Sequence, residues 1–178
     1  MSIGLAGGMM AAAIGLSACG GAASNSSATP TPEPTPFVAT DSSFSAVFPA
    51  TPARSTQKIN QAGINATLTL YQATTNAEQV AVAFEPLPVA PQGDAMQASL
   101  DGGVAASAKN VNGTVVSKSN TQFLGQPAED AVIQAQGSVI RERVFFVGTK
   151  LYVLEGITNS MDARHPAYDK MLATFKTI

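Results

Sequence analysis

Downstream of residue 43, apolar positions recur with two different periods, and the switches between them outline a domain. Phe44, Ala46 and Phe48 alternate with Ser45 and Val47 until Pro49 and Pro52, which predicts a half-buried strand ended by proline. Ile64, Ala66, Leu68 and Leu70 alternate with Asn65, Thr67, Thr69 and Tyr71, and Ala62-Gly63 predicts a turn into this strand from a polar one around Thr56 to Gln61. Val80, Val82 and Phe84 repeat the pattern before Pro86 and Pro88. The period then changes: Met96, Leu100, Val104 and Ala108 fall every fourth residue between Asp94 and Lys109, the single apolar stripe of a helix. Gly102-Gly103 weakens that helix by about 1 kcal/mol per glycine, so a close approach to the sheet or a kink is the expected compensation.

After Asn112-Gly113, β-rich runs follow at Thr114 to Ser119, Gln122 to Leu124 and Ala128 to Ala135. Val139 to Val147 and Lys150 to Ile157 flank Gly148-Thr149, a glycine-first pair suited to a two-residue type II′ turn. Pro166 opens a short helix in which Tyr168, Met171, Leu172 and Phe175 share a face. The expectation is an antiparallel sheet with two helices, with Leu70, Phe84, Val104 and Phe175 in its core.

The chain upstream follows neither period. Ile3 to Ala18 carries no charge and is too short and glycine-rich for a membrane span of about 20 residues, which suits the apolar region of a secretory signal. It ends in Leu16-Ser17-Ala18-Cys19-Gly20, which resembles the lipobox of bacterial lipoproteins, where cleavage before the cysteine leaves an acylated first residue. Residues 1–18 are thus expected to be a lipoprotein signal peptide, with Cys19 the lipid attachment. The first basic residue is Arg54, a departure from the usual charged start of such signals, so a start upstream of Met1 stays open. Gly20 to Pro36 reads GGAASNSSATPTPEPTP, and its alternating prolines favour extended polyproline II, making residues 19–40 a flexible Ser/Thr/Pro-rich tether and 41–178 the folded domain.

Composition narrows the chemistry. The 178 residues are 45% hydrophobic and 12% charged with a net charge of -2, enough for one compact core and too weak a field to attract nucleic acid. One cysteine and one histidine exclude a multi-thiolate or multi-histidine metal site, and the expectation is neither metal nor cofactor. No nucleophile elbow, zincin, EF-hand or Walker pattern is present, so no catalytic residue is assigned and the chain reads as a non-enzyme. His165 beside Pro166 reads as a surface residue at a helix entry. Glu129 and Asp130 would point to opposite faces of a strand as solvated charges.

The two-residue Gly148-Thr149 turn sets Glu142 opposite Glu155, beside the otherwise apolar Ile140, Val144, Leu151 and Val153. Like charges directly opposite are destabilising, and solvation at the sheet margin is the expected relief, with a raised pKa or a bound cation as alternatives. Arg141, Glu142, Arg143, Tyr152 and Glu155 are candidates for a binding face.

Phe44-Ser45-Ala46-Val47-Phe48-Pro49 with Pro52, the central helix, Leu124-Gly125-Gln126-Pro127 before a strand, the run from Arg143 to Tyr152 and a closing helix with Phe175 together resemble PsbP-like domains. The resemblance spans about Asp41 to Ile178. It implies an α+β fold, an α/β/α sandwich with a central antiparallel sheet, in a family that includes photosystem extrinsic proteins, a Ran-binding import factor and many bacterial lipoproteins. A shared fold does not carry one activity. The expectation is an exported, monomeric binding module, lipid-anchored to the bacterial membrane or envelope, that docks onto an envelope protein or polymer. The alternative is a carrier holding a lipid or small apolar ligand between helix and sheet.

Overall fold

The computed structural model describes residues 34–61, 64–159 and 164–178. The signal peptide, the Cys19 attachment and most of the tether fall outside the described residues. Ordered pairing starts at β1 (Phe37–Val38), earlier than residue 41, because Phe37 pairs with Ala46 of β2 (Phe44–Ala46) and packs its ring on Phe48 and Tyr71.

Three strands follow, β3 (Ala53–Gln61), β4 (Ile64–Thr74) and β5 (Glu78–Pro86), then the helix α1 (Asp94–Asn110). The meander β6 (Thr114–Phe123), β7 (Gln126–Ala135), β8 (Ser138–Val147) and β9 (Lys150–Thr158) leads to α2 (Pro166–Thr174) and a last short strand, β10 (Lys176–Thr177). The long strands form one antiparallel sheet in the order β3-β4-β5-β9-β8-β7-β6. The two β-rich runs between Thr114 and Leu124 are one strand, interrupted by a register shift between Val115 and Ser117.

A second sheet, β1-β2-β10, was not expected from the pattern. Two-residue strands carry too few alternations to be read as strands, and β10 forms because the chain leaving α2 returns alongside β2, pairing Thr177 with Phe44.

Each central strand is covered on both sides. On one face α1 lays Leu100, Val104 and Ala108 against the sheet, where Val144, Phe146 and Val153 meet the helix. Gly102-Gly103 resolves as the expected close approach, since a methyl group at Gly103 would stand 3.1 Å from a methyl of Val144. On the other face α2 and the small sheet enclose an aromatic cluster of Phe44, Phe84, Phe145, Tyr152, Tyr168 and Phe175, with the Phe145 and Tyr152 rings stacked at 5.4 Å. Of the expected core residues, Phe84, Val104 and Phe175 are buried and Leu70 only half so. Its neighbour Tyr71, which the alternation placed on the polar side, is 1% exposed because that side meets the aromatic cluster.

Candidate functional site

The β8–β9 hairpin has the expected register. Gly148 takes φ +60° in the two-residue turn, Val147 pairs with Lys150, and five pairs further on Glu142 faces Glu155. Alternation then divides the five candidate binding-face residues between two sides. Arg141, Arg143 and Tyr152 point toward α2, whereas Glu142 and Glu155 lie beneath α1. They do not form one surface.

The arginines are engaged within the fold. Arg143 makes a bidentate pair with Asp130, Nε to Oδ1 at 2.6 Å and Nη2 to Oδ2 at 2.7 Å, and its guanidinium lies 4.9 Å from the centre of the Phe123 ring. Arg141 donates from Nη1 to Asp169 of α2 at 2.8 Å and covers the Tyr168 ring at 5.2 Å. Tyr152 is buried and donates its hydroxyl to the carbonyl of Ser43 at 3.3 Å; burial raises its pKa.

Beneath α1 the carboxylates are not solvated as expected. Glu142 is 1% exposed, and neither of its oxygens has a hydrogen-bond partner. Burial pushes its pKa well above the usual carboxylate range, and the facing Glu155 raises it further; the nearby Ser107 hydroxyl of α1 favours the charged form without completing a hydrogen bond. Part of the Glu155 residue reaches solvent, and burial raises its carboxyl to about 7. The sequence pattern located this pair and missed the burial of Glu142, because α1 packs over β7 and β8 and brings Ser107 close to it.

Glu129 also departs from expectation. It points away from Asp130 as strand geometry requires, yet it is fully buried on the α1 side of β7. Its Oε1 lies 3.0 Å from Nζ of Lys118, which also pairs with Asp101 of α1. Burial raises the Glu129 pKa and the Lys118 contact partly offsets it. Glu85 on the same face is raised by burial as well. Among the described residues, no group of three or more His, Cys, Asp or Glu is arranged to hold a metal ion.

His165 is a further correction. It is not a surface residue but fully buried, with both ring nitrogens unbonded, because it packs beside Glu78 at the start of β5 and the Tyr168 ring of α2. Its Nδ1 lies 3.7 Å from Oε1 of Glu78, which instead accepts the Tyr168 N–H at 2.9 Å while Oε2 accepts the Ala167 N–H at 2.8 Å. Glu78, which no motif singled out, thus caps α2 from the start of β5. Burial lowers the His165 pKa, and the attraction of Glu78 works against that.

An open depression of about 350 Å³ lies elsewhere, on the outer side of β3 and β4, lined among others by Thr51, Arg54, Ser55, Gln72 and Thr74. Neither helix contributes to its walls.

No protein-family model and no curated protein sequence matches the chain. Solved structures do. The solution structure of cyanobacterial PsbP from Synechocystis superposes with a TM-score of 0.55 at 10% identity, covering 86% of this chain and 98% of that one. A protein from Bacteroides thetaiotaomicron matches with a TM-score of 0.40 at 11% identity over 82% of this chain and 48% of its own. A Pseudomonas aeruginosa protein of unknown function matches at 0.35 and 15% identity over 59% and 82%. These last two are too distant in shape to add to the assignment. The sheet order, the helices on opposite faces and the near-complete overlap with cyanobacterial PsbP show that this chain has a PsbP-like fold.

Proposed function

We propose that the chain is a lipid-anchored, non-enzymatic docking module of a bacterial envelope, held to the membrane through Cys19 and presenting its domain, as a monomer, to a protein or cell-envelope polymer. The observation that favours docking over carriage is the closeness of both helix–sheet contacts. A methyl group at Gly103 would stand 3.1 Å from Val144, and one at Gly156 would stand 2.5 Å from Tyr168. A carrier needs an apolar cavity of some 300 Å³ or more at such a seam. The depression at Arg54 and Gln72 opens outward from the sheet edge instead. Anchoring rests on the lipobox pattern, which places the chain's one cysteine after Leu16-Ser17-Ala18.

Two measurements test the reading. Metabolic labelling with a palmitate analogue is expected in the wild type and lost in Cys19→Ser; undiminished labelling in the variant rejects the anchor. Crosslinking in membranes followed by mass spectrometry is expected to recover a protein or polymer adduct on the domain surface. Recovery of a stoichiometric apolar molecule from the purified protein would overturn docking in favour of carriage.

A further inference from the structure

The carboxyl pair beneath α1 has no structural reason to exist as two charges. Glu142 and Glu155 are direct partners across adjacent strands, where opposed side chains stand about 5 Å apart at Cβ. The Glu142 oxygens are buried and accept no hydrogen bond, and an ionised carboxylate in that position would have only the nearby Ser107 hydroxyl in partial compensation. Leaving one carboxyl protonated removes the repulsion and gives the pair a donor where it otherwise has only acceptors.

Among the described residues, none around the pair supplies an uncommitted positive charge to replace that proton. From β7 the nearest titratable group is the buried Glu129, two residues from the Ala131 that faces Glu142, whereas β5 sets the uncharged Ala81 opposite Glu155 and carries the buried acid Glu85 four residues further along. From β6 comes Lys118, already paired with Glu129 and with Asp101 of α1. From α1 itself, Ser107 is the buried polar residue near Glu142, and Lys109 in the last turn is exposed. Ser107 also belongs to the carboxy-terminal part of α1, whose partial negative charge disfavours a nearby anion.

We propose that Glu142 and Glu155 hold one proton between them, and that losing it loosens α1 from the sheet while the aromatic side of the domain stays packed. The direction follows from linkage. In the unfolded or locally opened chain both glutamates titrate near 4.5, whereas in the closed state Glu155 is raised to about 7 and Glu142 is raised as well. The closed state therefore binds more protons over that interval, so its advantage is full below the lower value and is lost as pH rises through the upper one. One retained proton makes the opening constant rise about tenfold per pH unit across the interval.

Amide hydrogen exchange on the full chain between pH 5 and pH 8.5, corrected for the intrinsic rate, tests this. Protection in α1 is expected to fall about tenfold per unit from pH 5 to pH 7 and to level off once the shared proton is lost, with no parallel fall in α2. Glu142→Gln and Glu155→Gln should each flatten the α1 response, and either suffices should the other fail to fold. Infrared difference spectra should show a protonated-carboxyl band at pH 6 that either substitution removes. A pH-independent α1 in the wild type, or a response unchanged in the variants, overturns the proposal. So does recovery of α1 protection by millimolar calcium at pH 8 in the wild type and not in Glu142→Gln, which would make the pair a cation site.

Discussion

Leu124 takes φ +51° at the β6–β7 turn beside Gly125 at +74°, the left-handed conformation that a type I′ hairpin demands and that leucine tolerates poorly. It is 43% exposed, so little burial offsets the strain. Leu124→Asn should raise stability by about 1 kcal/mol, read as a higher urea midpoint at unchanged slope. His165 makes the opposite kind of prediction. Its folded pKa is depressed below 6.5, so the unfolded state binds the extra proton in acid, and the stability it contributes is lost as pH falls below that value. His165→Leu should shrink the difference between urea midpoints at pH 7 and pH 5; an unchanged difference would show that the imidazole does not charge on unfolding. Neither residue's situation was legible beforehand. A histidine beside proline at a helix entry carries no sign of what will cover it, and the same holds for Glu129 and Glu142, whose spacing on strands was readable although the helix above them was not.

At the scale of elements, α2 depends on a residue far away in sequence. No side chain of its own caps its amino terminus, and the Glu78 carboxylate accepts from the backbone of Ala167 and Tyr168 instead. Glu78→Ala should cost about 2–3 kcal/mol and raise amide exchange selectively in α2, since buried charge-assisted hydrogen bonds are among the stronger ones. Gly156 is where β9 passes under that helix. Adding the methyl group of alanine would press it to 2.5 Å from Cβ of Tyr168, so Gly156→Ala should cost about 1–3 kcal/mol in thermal or urea unfolding. The elements themselves were largely legible. The stripe Leu100, Val104 and Ala108 and the Gly148-Thr149 turn are local signals, and their geometry leaves few alternatives. Strand facing was less so: Tyr71 and Thr69 are buried because both sides of the sheet are covered, and an alternation rule presumes one solvated side.

The whole molecule is two cores separated by one sheet, an aliphatic one under α1 that shelters carboxyls and an aromatic one under α2 that shelters a histidine. The antiparallel sheet with two helices followed from the order of periods along the chain and the sandwich from the PsbP-like resemblance, but the small sheet followed from neither, because it is made where the two ends of the domain meet. That meeting has a consequence for how the molecule comes into being. Phe44 sits in the aromatic core with Phe175 stacked on its ring at 5.4 Å, and the backbone of β2 is completed on one side only by Lys176 and Thr177. A chain emerging from the ribosome amino terminus first must therefore leave β2 half-paired until Lys176 and Thr177 are released. Long-range closure of this kind slows folding, and a nascent or carboxy-terminally clipped chain would display Phe44 to chaperones and proteases that the finished molecule never shows them.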